Sequence, residues 1–151
     1  MTFSRSLLFA GSLALLAACH EQTTQASQET AAPTPAGPQC YAYRTETDTV
    51  RLTLQTTQPT VTGQLAYRYF EKDRNQGTIK GVMHGDTLLA DYTFQSEGSQ
   101  SVREVAFLRR DIGFVEGYGP VMEQGNKTIF KLPRTLHFDA KYTLLPVPCP
   151  K

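Results

Sequence analysis

Apolar and polar residues alternate with a period of two through most of the chain beyond residue 48. Val50, Leu52 and Leu54 alternate with Thr49, Arg51, Thr53 and Gln55, which puts the aliphatics on one face of a strand. Val61, Leu65, Tyr67 and Tyr69 alternate with Thr62, Gln64 and Arg68, and Ile79 and Met83 with Thr78, Lys80 and His84. Leu88, Ala90, Tyr92 and Phe94 alternate with Leu89, Asp91, Thr93 and Gln95. Each run has one wet face, and the core is expected to include Val50, Leu52, Leu54, Leu65, Tyr67, Ile79, Leu88, Tyr92 and Phe94. Turn residues interrupt the runs at Gln58-Pro59, 73–77, His84-Gly85-Asp86, Glu97-Gly98-Ser99, Asp111-Ile112-Gly113 and Gln124-Gly125-Asn126. Eight strands are expected, near 48–56, 60–71, 77–84, 87–96, 100–110, 112–119, 127–132 and 135–146.

Links this short force neighbouring strands to run antiparallel, because a parallel crossover needs a dozen or more residues. No stretch carries a sustained 3.6-residue apolar period with caps, so the fold class is all-β. Eight strands in a meander are enough to close an up-and-down barrel, which removes exposed edges; the alternative is a two-sheet sandwich. Gly63, Gly81, Gly117 and Gly119 fall inside strands, where a small barrel needs sharp bends. Over residues 40–149 this pattern resembles the lipocalin-like and other small meander barrels carried by bacterial envelope lipoproteins. The chain has no Trp and so lacks the Gly-x-Trp of lipocalins proper.

The first 18 residues follow a different logic. Arg5 precedes the uncharged run Leu7 to Ala18, 12 residues long, whereas a membrane-spanning helix takes about 20. A basic start, a short apolar run and small residues at its end make a secretion signal. Leu16-Ala17-Ala18-Cys19 resembles the bacterial lipobox, and the resemblance implies a diacylglycerol thioether on Cys19, cleavage before it, and an acyl group such as palmitate on the new amine. His20 occupies the position where Asp favours retention in the inner membrane, so the resemblance implies the outer membrane. An ordinary secretory signal with an incidental cysteine is the alternative.

Residues 19–39 are read as the lipidated cysteine and a flexible tether: 20–39 contain no Val, Ile, Leu, Met or aromatic residue and carry Pro33, Pro35 and Pro38. Such a chain spans roughly 25 Å on average. Cys40 and Cys149 remain, bracketing the patterned segment. Export places them in an oxidising compartment, and a bridge between them is the expected use; a metal site or an intermolecular bridge is the alternative. Charge adds little. The chain holds 15 basic and 14 acidic side chains, and loss of Arg5 leaves 14 of each, which argues against a nucleic-acid partner. Membrane affinity is then expected from the lipid itself.

Chemistry-bearing residues are sparse. In Ser101–Arg110, Val105 and Phe107 compete with Ala106 and Leu108 for the inner face, and either choice turns Arg103 or Glu104 inward. An inward Arg103 would meet an anionic ligand or pair with Glu116 or Asp91, since a buried unpaired charge is costly. Tyr67, Tyr69, Tyr92 and Tyr118, among nine aromatics that also serve as ordinary core, are the candidate ligand contacts with Arg103. His20, His84 and His137 show no metal-ligand spacing, no cofactor is implied, and no nucleophile elbow, phosphate loop or dinucleotide fingerprint is present. The expected function is therefore a monomeric, non-enzymatic binding module for a small apolar or amphipathic ligand or an envelope protein. The alternative is an assembly accessory with a solid core acting through protein contacts. An interior cavity above about 300 Å³ would favour the ligand, a filled barrel the protein contact.

Overall fold

A computed structural model describes residues 37–150 apart from Gln58, Asp73 and Glu97. The secretion signal, Cys19 and the tether up to residue 36 lie outside the described residues. Ten strands follow in chain order: β1 (Gln39–Arg44), β2 (Thr49–Thr57), β3 (Thr60–Arg68), β4 (Asn75–His84), β5 (Thr87–Ser96), β6 (Ser99–Arg110), β7 (Gly113–Tyr118), β8 (Val121–Gln124), β9 (Lys127–Phe130) and β10 (His137–Val147). The only helical element among the described residues is a 3-10 turn, Pro133–Thr135.

Eight of these strands close a barrel in the order β1-β2-β3-β4-β5-β6-β7-β10, with β10 returning to β1. Every neighbouring pair in the barrel is antiparallel. The predicted barrel class holds, but its membership differs in two places. Strand β1 is an addition: its inward residues are Tyr41 and Tyr43, and its outward ones the small Cys40 and Ala42, so no aliphatic alternation announces it. The predicted strand at 127–132 is not a stave. It shortens to β9, which forms a hairpin with β8 and pairs in parallel with β6 at Val102 and Arg103.

The inner face matches the alternation. Val50, Leu52, Leu54, Leu65, Tyr67, Ile79, Leu88 and Tyr92 are buried in one core cluster, with Phe94 partly buried against it. Leu52, Leu65, Leu88, Tyr92 and Phe107 are completely buried and fill the body of the barrel. The undecided segment in β6 resolves by its pairing: Arg103, Val105 and Phe107 lie opposite Tyr92, Ala90 and Leu88, all inward. Ala106, facing out, is nevertheless fully buried. It shares a row with Gly117, and Gly117 is covered by the Phe138 ring. Glu104, also outward, accepts the Phe130 N–H at 3.0 Å and ties the β8–β9 hairpin down.

Gly77, expected at the junction of the 73–77 turn and the strand from 77, lies inside β4 opposite Phe94. A Cβ there would collide with the Thr93 carbonyl, so the residue is set by close strand approach rather than by a reversal. The seam between the first and last barrel strands is short, with Cys40, Tyr41 and Ala42 opposite Val147, Pro146 and Leu145. The Cys40–Cys149 disulfide crosses it, with Cα atoms 5.2 Å apart. A loop of this length, 109 residues in sequence separation, is nominally worth ~4.7 kcal/mol on the chain-entropy account.

The register makes a direct expectation. Leu52→Ala or Tyr92→Ala should cost roughly 2 to 5 kcal/mol through lost burial and a residual cavity, and Thr53→Ala or Thr93→Ala under about 1 kcal/mol. Urea denaturation measures both. A larger loss at the threonines would mean that the strands present the opposite faces.

Candidate functional site

The topology gives the barrel two unlike ends. At one, links of two residues each join β2 to β3, β4 to β5 and β6 to β7, and the disulfide lies beside them. The other end carries the longer links: 45–48, 69–74 and the excursion from Tyr118 through β8 and β9 to β10. Functional side chains collect at this second end, the mouth.

Its centre is Glu116 on β7, the one buried charged residue among those described, 5% exposed. Pairing opposite the inward Phe107 turns it into the barrel. Tyr67 on β3 donates its hydroxyl to Glu116 Oε1 at 2.5 Å, and Tyr118, two residues on along β7, donates to Oε2 at 3.0 Å. Burial pushes the Glu116 carboxyl above its ordinary range, against the opposing pull of the two hydroxyls and of Arg103. The tyrosines respond in kind. Tyr67 is driven well above the usual phenol value, first by burial and then by the Glu116 charge. Tyr69 is pushed up to about 12 by the same two causes, and Tyr118 is likewise raised by burial and then by Glu116.

Arg103 points inward, as one of the two sequence alternatives required, but it makes no ion pair among the described residues. Its guanidinium carbon lies 5.1 Å from the Tyr67 ring centroid, 5.5 Å from Tyr92 and 5.8 Å from Phe94. Aromatic faces thus replace the expected carboxylate as its partners. The arrangement leaves Arg103 Nε and the Tyr92 hydroxyl buried without a protein hydrogen-bond partner. Tyr92 is also pushed up to about 12, mainly by burial.

Above Glu116 the mouth opens into a pocket of about 250 Å³. Its walls are Tyr43, Tyr69, Tyr118 and Tyr142; Val50 and Leu144 supply apolar surface, and Asp48 joins Glu116 as the second carboxylate. Tyr43 and Tyr142 meet edge to face, centroids 5.5 Å apart and planes at 66°, which forms a corner. A bulge aims Tyr142 there. Between the pairs Phe138–Gly117 and Thr143–Val115, β10 advances five residues while β7 advances two, so three extra residues are looped out. Local bonds hold that loop: Asp139 Oδ1 accepts from Lys141 N at 3.0 Å and Ala140 O from the Thr143 hydroxyl at 2.6 Å. Asp48 is held by the Phe70 N–H, which donates to Oδ1 at 2.9 Å.

Of the sequence candidates, Tyr69 and Tyr118 line the pocket, Tyr67 supports Glu116 from within, and Tyr92 and Arg103 pack deeper. Tyr43 and Asp48 were not anticipated. Tyr43 lies on β1, where only the alternation of Tyr with small residues marks it, and Asp48 lies on the link that follows, which carries no such signal. A second feature lies on the outside of the barrel, where Arg44, Arg51, Arg68 and Arg74 line one open groove across β1 to β4. Among the described residues no group of three His, Cys, Asp or Glu is placed to hold a metal ion. Comparisons with family models, curated proteins and solved structures return no match, so the site is read from its own chemistry.

The raised Glu116 carboxyl fixes the sign of a pH effect. Folding favours the protonated acid, so the stability this group contributes is complete below the ordinary value of 4.5 and is lost as pH rises through the higher folded-state value. Wild type should therefore gain stability relative to Glu116→Gln as pH falls from about 8 toward the ordinary carboxylate range. Urea midpoints of both proteins across that range give the answer, and a gain in the opposite direction would contradict the assignment.

Proposed function

We propose that this chain is a bacterial envelope lipoprotein, anchored through lipid on Cys19 and placed by its signal at the outer membrane, whose barrel mouth binds a small amphipathic molecule without chemical conversion. One observation carries the binding reading: four tyrosines and two carboxylates surround a 250 Å³ pocket over a buried Glu116. Holding a carboxylate out of water costs stability, and a barrel used only as a support has no need of it.

The pocket's size refines the ligand. It falls below the 300 Å³ or more of a drug-sized site, and the barrel body beneath it is filled by Leu52, Leu65, Tyr92 and Phe107. A long acyl chain threaded through the interior is therefore not the expected ligand; a compact molecule seated at the mouth is. The filled body also favours a second reading, an assembly accessory that uses the mouth as a protein contact. Anchoring is supported by the lipobox-like Leu16-Ala17-Ala18-Cys19 and by the apolar-free stretch that follows.

Radiolabelled fatty acid should enter the wild-type protein and not Cys19→Ala; equal labelling of the two would reject the anchor. For the binding reading, native mass spectrometry of protein purified from the envelope should show a one-to-one small-molecule adduct that is lost in Tyr142→Ala. Protein free of any adduct, with cross-links to one envelope protein that disappear in Tyr142→Ala, would instead establish the accessory.

A further inference from the structure

We infer that the mouth pocket takes an organic ammonium compound, with a methylated, quaternary head as the best fit. The inference rests on the mouth being a ligand site and names the class of ligand. Charge decides first. Asp48 and Glu116 line the pocket and no basic side chain does. An anion would be brought against two carboxylates, and a neutral molecule would cover them without compensating their charge. A cation removes that penalty.

Ring geometry decides next. Tyr43 and Tyr142 form two walls of a corner, at 66° to each other, and Tyr69 and Tyr118 complete the enclosure. Aromatic faces attract cations through the ring quadrupole, most strongly where water is excluded. This barrel already uses that attraction twice: Arg103 lies over three rings, and Lys141 Nζ lies 5.5 Å from the Tyr142 centroid.

Hydrogen bonding separates a quaternary head from a primary amine. Each Glu116 oxygen already accepts a tyrosine hydroxyl and Asp48 Oδ1 accepts the Phe70 N–H, so a donor on the ligand must share those oxygens or turn to Asp48 Oδ2. A primary ammonium brings three donors that need acceptors once buried. A methylated head brings none, and leaves the Tyr67–Glu116–Tyr118 network intact. The groups that face Glu116 are Tyr67 from β3, Tyr69 from the β3–β4 link, Arg103 from β6, Tyr118 from β7, Tyr43 from β1, Tyr142 from β10 and Asp48 from the β1–β2 link. All of the tyrosines whose shifts are resolved are raised, and burial raises the Glu116 carboxyl, so acidification from neutral pH acts on Glu116 and not on those tyrosines.

The test uses the mature protein in neutral detergent micelles, titrated with tetramethylammonium, choline, n-butylamine and 3,3-dimethyl-1-butanol, the uncharged analogue of choline. Tyrosine fluorescence reports binding without interference, because the chain has seven Tyr and no Trp. Tetramethylammonium and choline should bind at least about tenfold more tightly than the alcohol, and n-butylamine should fall between them. Glu116→Gln should weaken choline by about tenfold or more. Should that variant fold poorly, Tyr142→Ala and the pH series on wild type carry the same test, choline affinity falling as pH is lowered. Equal binding of choline and the alcohol, or stronger binding of acetate, would overturn the ammonium assignment while leaving the mouth a ligand site. Absence of binding by all of these probes, together with no adduct on the purified protein, would overturn both.

Discussion

Closure of the sheet is the constraint from which the rest of this structure follows. The closing seam is the shortest pairing between barrel strands, three residues of β1 against three of β10, and one of those, Pro146, has no N–H to give. The disulfide compensates by joining the same two segments covalently, at the end where both enter and leave the barrel. The pocket depends on this seam directly. Tyr43 comes from β1, and Tyr142 and Leu144 from β10, so two of its four tyrosines meet only because the first and last strands are neighbours. An open sheet of the same strands would hold a core of sorts, but no Tyr43–Tyr142 corner and no mouth.

Within the closed barrel, one carboxylate sets the electrostatics. Glu116 is buried, its two oxygens are satisfied by tyrosine hydroxyls, and the nearest cation, Arg103, is held away on aromatic faces rather than brought into contact. A direct ion pair would have neutralised the site and closed it. In the observed layout Tyr67 stands between the two charged groups, hydrogen-bonded to one while its ring receives the other. The two buried atoms left without protein partners, Arg103 Nε and the Tyr92 hydroxyl, lie on the inner side of that arrangement. Such unsatisfied groups cost stability, which is consistent with a core shaped by more than packing.

The body of the barrel was legible because aliphatic residues on β2, β3 and β5 alternate cleanly with Thr, Arg and Gln. What escaped has physical causes. β1 carries Tyr inward and Cys or Ala outward, so both faces read as weakly apolar, and Ala42 and Cys40 are buried on the outer side. Gly77 looked like a turn residue because glycine serves both reversals and close strand contact, and the two uses are indistinguishable without the neighbouring carbonyl. The β8–β9 hairpin has strand propensity but lies outside the staves, a matter of which edge is free on β6 rather than of local pattern. In β6, burial on both faces erased the alternation: Ala106 is buried on the outer side, in the row where Phe138 covers Gly117, while Phe107 fills the core. Of the site, the tyrosines of β3 and β7 were visible as candidates. Asp48 and the aim of Tyr142 were not, because a link and a three-residue bulge place them.

Net charge conceals the same kind of information. A chain with 15 basic and 14 acidic side chains suggests an electrically featureless surface. Folding sorts them. Arg44, Arg51 and Arg68 gather on the outside of β1 to β3, where Ala42 and Ala66 flank Arg51 and leave the groove open. Asp91 and Glu104 face out from β5 and β6, and are taken up by Lys127 and by the Phe130 N–H. Asp48 and Glu116 are left at the mouth with no basic side chain in the lining. The same sorting separates rigid from adjustable parts: two-residue turns and a disulfide hold the base, while a four-residue link, a six-residue link and the β8–β9 excursion shape the mouth. Side chains carried on longer links above a pinned base can shift without disturbing the core that positions Glu116. The electrostatic character of the mouth is thus set by where the charges are segregated rather than by how many there are.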